Sequence, residues 1–195
     1  MSTALPQLIE RSPLTSRGVA LCFVAGLAVT AALLAGCAST GRAPAPPREG
    51  EVRLDVPFFP NRTYDCGPAV LASVLHFWGV EIPPNAIRSA IVSDNAKGTV
   101  TLDMVWFPEE HGLDTRQWTA TEQDVKDAVH AGFPVILFVD YGIGRVRQGH
   151  YMVVTGVSEN AFTVHTGRKQ HHRIPLRELR KRWKRTDHWA LVATP

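Results

Sequence analysis

The sequence predicts an α+β domain whose first half is helical and whose second half is sheet. Two observations carry that prediction. From Cys66 to Gly132 the apolar residues recur at helical spacing between recognisable start and stop residues, and after Gly132 they fall into strand-length runs separated by Gly, Ser and Asn turns. A third observation bounds the domain, because an apolar run near the N-terminus has the flanks of an export signal rather than of a core element.

Arg11 and Arg17 precede that run, Val19 to Ala35, which stops at Gly36-Cys37. It approaches the length of a membrane-spanning helix. Leu34-Ala35-Gly36-Cys37, however, resembles the bacterial lipobox, in which the chain is cut before the cysteine and the new terminal cysteine is lipidated. The expected organisation is a signal peptide over residues 1–36, a lipidated flexible tether over 37–50 rich in Pro, Ala, Gly and Arg, and one domain over 51–195, ample for a single core. Cys37 is then the lipidation site and the membrane a partner through its lipid. The expected location is the bacterial cell envelope, lipid-anchored and facing the periplasm. Ala38, standing where an aspartate implies inner-membrane retention, points to the outer membrane. The formal charge of +3 falls by one when Glu10, Arg11 and Arg17 leave with the signal. That balance names no partner, and nothing resembles a nucleic-acid module.

Within the domain, Val52 to Phe59 alternates as a short strand would, and Pro60 to Thr63 leads into a helix that opens at Cys66 and reads Val70, Leu71, Val74, Leu75 and Trp78 on its buried side. Pro68 fits its first turn and Gly79 its exit. Pro83-Pro84 open a second helix through Ile87 and Ile91, and Thr101 to Met104 begin a third that ends near His111-Gly112. Leu113 to Trp118 reads as a strand, and Thr121 with Asp124 caps a helix carrying Val125, Ala128 and Val129. Strands follow at Pro134–Val139, His150–Val157 and Ala161–Thr166, with Lys169–Ile174 as a hairpin partner and Trp189–Ala193 as the last strand. Between them, Pro175 opens a helix whose inward stripe is Leu176, Leu179 and Trp183. Its cations, Arg177, Arg180, Lys181, Arg182, Lys184 and Arg185, are expected to face out, either as a solvated surface or toward anionic lipid or an acidic partner.

Of three cysteines, Cys22 leaves with the signal, Cys37 carries lipid, and Cys66 alone stays in the domain, without a disulfide partner. An unpaired thiol in an oxidising compartment is either buried packing or a reactive group. A helix N-terminus favours the second, since its dipole and unpaired N–H groups stabilise a thiolate and an adjacent oxyanion. His150, where a glycine-rich loop enters a core strand, is the best placed of eight histidines to act as a base; the plain alternative is a strand-end histidine. Asn61 is either a turn residue or, with the Cys66 N–H, an oxyanion donor. His76 and His130 lie inside helices and read as structural. His165, His171 and His172 cluster without regular ligand spacing, so no metal and no cofactor is expected.

Val56-Pro57-Phe58 with Asn61, then Asp65-Cys66-Gly67-Pro68-Ala69, then Gly149-His150-Tyr151-Met152-Val153-Val154-Thr155-Gly156, resemble the double-glycine, bacteriocin-leader-processing cysteine peptidases of the papain-like clan, and in particular their exported lipoprotein relatives. The resemblance covers most of residues 51–195. It implies a papain-like fold, with the cysteine-bearing central helix packed on an antiparallel β-sheet. It implies Cys66 as nucleophile, His150 as its base and acid, and a peptide or protein as substrate. The family's oxyanion glutamine corresponds to Asn61, one methylene shorter. Its third member, an aspartate, falls closest to Thr166, which cannot offer a negative charge; a backbone carbonyl or Asp140 could stand in, and the third role is not carried over. The family's bacteriocin processors are fused to cytoplasmic transporters, so a chain lying across the membrane is not expected to share their substrate. Two other readings compete with a peptidase. One is a catalytically weak or inactive peptide-binding module of the same fold, motivated by Asn61 and Thr166. The other is a cell-wall amidase of the NlpC type, whose nucleophile motif reads Asp-Cys-Ser-Gly where this chain reads Asp-Cys-Gly-Pro.

Overall fold

The computed structural model describes residues 46–61, 65–92 and 99–195. The expected signal peptide, Cys22, Cys37 and the tether up to residue 45 lie outside the described residues, as do Arg62, Thr63 and Tyr64. In chain order the elements are β1 (Val52–Arg53), α1 (Cys66–Phe77), α2 (Pro84–Ile91), α3 (Thr101–Glu110), β2 (Asp114–Thr119), α4 (Glu122–His130), β3 (Val135–Asp140), β4 (Gly149–Val157), β5 (Ala161–Thr166), β6 (Lys169–Pro175), α5 (Leu176–Trp183) with a 3₁₀ turn at Lys184–Thr186, and β7 (Trp189–Thr194). The seven strands form one antiparallel sheet in the order β2-β7-β3-β4-β5-β6, with β1 added on β4. Helices and an antiparallel sheet make this an α+β fold, as the sequence predicts.

The period-two alternation of the strands divides two cores. Ile136, Tyr151, Val153, Leu191 and Ala193 face α1, α2 and α3, where Leu71, Leu75, Ile87 and Met104 are fully buried. Leu137, Val139, Met152, Val154, Phe162 and Ala190 face α4 and α5, meeting Val125, Val129, Leu179 and Trp183. Each fully buried Leu, Val or Met side chain contributes roughly 1.5–3 kcal/mol. α1 is buried from Gly67 to Leu75, which is why it carries so few polar residues. Gly67 is required there: a Cβ would stand 2.5 Å from the Thr99 hydroxyl oxygen. α4 is held at its start by the Thr121–Asp124 capping box.

The strand expected over Val52–Phe59 is only two residues long. Val52 pairs with Val157 and Arg53 with Gly156, and the Leu54 N–H donates to the Thr155 carbonyl at 2.7 Å. From Val154 back to Gly149 that edge of β4 belongs to β3, so the incoming chain has no ladder to join and must leave the sheet. On the other edge, β5 pairs with β4 only from Val153↔His165. The first residues of β4, Gly149 to Met152, therefore project past β5 with one edge unpaired, and the site is built in that notch.

Candidate active site

α1 delivers Cys66 to the notch as its first helical residue. The thiol is half-buried and unpaired. Burial pushes it up from its ordinary value, while the N–H groups of Tyr151, Gly67 and Cys66 itself, all directed at the sulfur, act in the opposite sense. Asp65, next in the chain, adds to the rise, though its carboxylate is paired with Arg88 at 2.6 Å. The contact from Tyr151 uses the edge of β4 that β5 leaves open.

His150 follows Gly149 at the start of β4 and opposes Val139 across the ladder. Its Nε2 lies 2.7 Å from the hydroxyl of Thr166, the last residue of β5. Burial pushes the imidazole down, so it stays neutral through more of the acidic range. With Nε2 engaged by Thr166, Nδ1 is the nitrogen left for proton exchange, and no described residue hydrogen-bonds to it. The edge of the Tyr141 ring faces the imidazole at 5.7 Å between centroids.

Asn61 is fixed by the β5–β6 turn. Its N–H donates to the Gly167 carbonyl at 2.9 Å, and its side chain lies over Gly167 so closely that a Cβ there would stand 2.5 Å from the amide oxygen. Gly167 also has φ near +45°, a second reason for glycine. The Asn61 Nδ2 is buried and has no partner among the described residues. A buried donor without an acceptor costs about 1–3 kcal/mol.

Cys66, His150, Asn61 and Thr166 line one cleft of about 580 Å³, together with Tyr141, Gly167, Arg168, Lys169, His172, Glu178 and Arg182. The structure brings together the three residues that the sequence nominates and sets Thr166, not Asp140, against His150. Asp140 is 2% exposed, and both of its oxygens are occupied elsewhere. They accept from the N–H groups of Gly142 and Gln148, at 2.8 Å each, and from Arg147 and Arg185, at 3.0 and 2.9 Å. Burial alone would raise this carboxyl, but those four donors hold it well below the usual carboxylate range. Asp140 closes the base of the β3–β4 loop and does not orient the imidazole.

The basic helix also differs from expectation. Arg180 faces out as expected and pairs with Glu122 at 2.5 Å, but Arg182 stacks on the Tyr141 ring at 4.2 Å and lines the cleft, and Arg185, just beyond the helix, reaches Asp140. Carboxylates and a ring that are distant in sequence claim these arginines. Gly167, Arg168, Lys169 and Tyr141 gave no sequence signal beyond a glycine after a strand. His76 and His130 bond to backbone carbonyls, of Ile82 at 3.2 Å and Lys126 at 2.7 Å. Among the described residues no group of three or more His, Cys, Asp and Glu could hold a metal ion.

Solved structures share this fold. The peptidase domain of Streptococcus ComA, a bifunctional ABC transporter involved in quorum sensing, aligns with 27% identity over 74% of this chain and 98% of its own, at TM-score 0.58. A double-glycine motif protease from an AMS/PCAT transporter, solved with its leader peptide, aligns with 20% identity over 73% and 94%, at TM-score 0.60. A C39-like peptidase described from Bacillus anthracis aligns with 14% identity over 74% and 98%, at TM-score 0.61. No curated protein sequence matches the chain. The family model of the Peptidase C39 family matches residues 58–193, from just before Asn61 to the last strand. The chain belongs to the Peptidase C39 family and is a cysteine peptidase.

Proposed function

We propose that the protein is a lipid-anchored peptidase of the bacterial cell envelope, in which Cys66 attacks a peptide carbonyl, His150 moves the proton, and Asn61 with the Cys66 N–H holds the oxyanion. The observation that carries this reading is the common cleft, lined by both the half-buried thiol and the imidazole, in which Thr166 occupies Nε2 of His150 and no described residue hydrogen-bonds to Nδ1. Burial raises the thiol and lowers the imidazole, so the resting pair is neutral, and His150 acts as a general base during attack rather than as the partner of a standing thiolate. The proton taken from Cys66 then passes to the leaving amine. Water, activated by the same imidazole, releases the acyl group and regenerates the thiol. Asn61 Nδ2, buried and without a partner among the described residues, supplies the second oxyanion donor. The neighbour solved with a leader peptide supports a peptide as ligand.

The neutral pair and the uncharged Thr166 are also what a slow peptidase, or a peptide-binding relative, would have. One experiment separates these readings. The full chain in detergent is incubated with a denatured protein mixture and, in parallel, with purified peptidoglycan. New peptide termini from the protein mixture are expected, absent with Cys66→Ser and reduced by roughly 10²–10⁴-fold with His150→Ala. Muropeptide release would turn the assignment to the amidase, and binding without cleavage would turn it to the module. Iodoacetamide labelling of Cys66 is expected to rise only above the ordinary thiol range, following its raised value. Anchoring is read separately: labelled palmitate is expected in the wild type and lost in Cys37→Ala.

A further inference from the structure

We propose that the cleft selects peptides bearing acidic side chains close to the bond to be cut, recognised by Arg168, Lys169 and Arg182. This rests on the peptidase reading of Cys66 and His150.

The two exposed cations of the β5–β6 turn lie beside the reacting pair by construction. Thr166, bonded to His150, ends β5; Gly167 carries the Asn61 contact; Arg168 and Lys169 follow at once, and both line the cleft. The opposite wall comes from α5, where Arg182 stands over the Tyr141 ring at 4.2 Å and 3.2 Å from Glu178. Stacked and paired in this way, its guanidinium is held in place before a ligand arrives, the condition under which bidentate capture of a carboxylate loses least entropy.

The charge is not spent within the protein. Near the base of the β3–β4 loop Arg147 and Arg185 share the buried Asp140, and Arg180 is taken by Glu122. Around the cleft three cations face the single carboxylate of Glu178, and neither Arg168 nor Lys169 has an ion pair or side-chain hydrogen bond with any described residue. His172, in the same wall, is pushed down by burial and then by Lys169, so it adds no charge of its own near neutrality while registering the positive field. A concave wall of one sign concentrates ligands of the other.

The test uses the full chain with Cys66→Ser and fluorescein-labelled Gly/Ser/Leu peptides of one sequence that carry Glu, Gln or Lys at the same positions. By anisotropy the Glu peptide is expected to bind about five- to ten-fold more tightly than the Gln peptide, with the Lys peptide weakest, and added salt is expected to compress the difference. In the Arg168→Glu/Lys169→Glu variant, whose melting temperature serves as the fold control, the order is expected to invert. Equal binding of the three peptides, binding of none, or an order that survives the reversal overturns the proposal. Cleavage by the wild type is read in a separate tube, so a cleft without catalysis and a cleft without charge preference give different results.

Discussion

His150 and His165 stand on neighbouring strands, and burial lowers the imidazole pKa of both. They differ in what their nitrogens are given. His165 is 2% exposed, donates from Nε2 to the Val56 carbonyl at 2.9 Å, and accepts at Nδ1 from the His171 N–H at 3.2 Å. Its tautomer is fixed by the main chain on both sides, and the ring has nothing left to exchange. His150 has a hydroxyl on one nitrogen, no described partner on the other, and Cys66 lining the same cleft. Perturbation by burial does not distinguish the two histidines; a nitrogen without a described partner, on a ring that lines the same cleft as a thiol, does.

The sharpest way to break that contrast is to remove each ring. His150→Ala is expected to lower kcat/KM by roughly 10²–10⁴-fold and to leave the urea midpoint nearly unchanged. His165→Ala is expected to do the reverse. The Val56 carbonyl and the His171 N–H lose their partners in the interior, at a cost of about 1–3 kcal/mol each, while the folded fraction keeps its kcat/KM. If His165→Ala abolished turnover without lowering stability, the assignment of the two rings would be wrong.

Acid separates them a second time. Folding takes His165 from an ordinary value of 6.5 to about 4, so between those limits the unfolded chain binds the extra proton and the native one does not. The associated stability is complete above pH 6.5 and is lost as pH falls toward 4, by about 3 kcal/mol in all. A urea series across that range is expected to show the loss in the wild type and a flatter profile in His165→Gln. On the proposed mechanism turnover is expected to have its own acid limb, set by His150 and displaced below pH 6.5 because burial resists protonation of that ring too. Replacing His165 should leave this limb where it is.

Why these two histidines could not both be assigned from sequence follows from where the information lies. His150 is marked by local features, a glycine-rich loop before a nine-residue apolar strand, and Cys66 by a helix start. The elements that bring Cys66 and His150 to one cleft were therefore legible. The role of His165 depends on Val56, more than a hundred residues earlier, and the role of Asp140 on Arg185. Neither contact leaves a local pattern. Strand order was hidden for the same reason. β7, the last strand, inserts between β2 and β3, and the truncation of β1 follows from β3 occupying the adjoining edge of β4. The stacking of Arg182 on Tyr141 was missed because a helical stripe reveals which residues are apolar and not which ring or carboxylate will come alongside a basic one.

Thr166 gives the smallest and most discriminating effect. Its hydroxyl oxygen can accept from Nε2–H both in the neutral Nε2–H tautomer, which leaves Nδ1 unprotonated for the Cys66 proton, and in the imidazolium, so it can hold the ring through both protonation states. Thr166→Val keeps the shape and removes the bond, and a loss of about 1 kcal/mol of transition-state stabilisation, roughly five-fold in kcat/KM, is expected. Thr166→Asp adds a negative charge at the same position. A carboxylate favours the imidazolium, so the pKa of His150 rises, the acid limb of turnover moves to higher pH, and Cys66 labels with iodoacetamide at lower pH than in the wild type. On the proposed mechanism the charge stabilises an ion pair formed only during attack, so kcat/KM at neutral pH is expected to increase, by about ten-fold if the interaction gains about 1.4 kcal/mol. An acid limb that stays put in Thr166→Asp would mean that this hydroxyl does not touch the ring when the enzyme works.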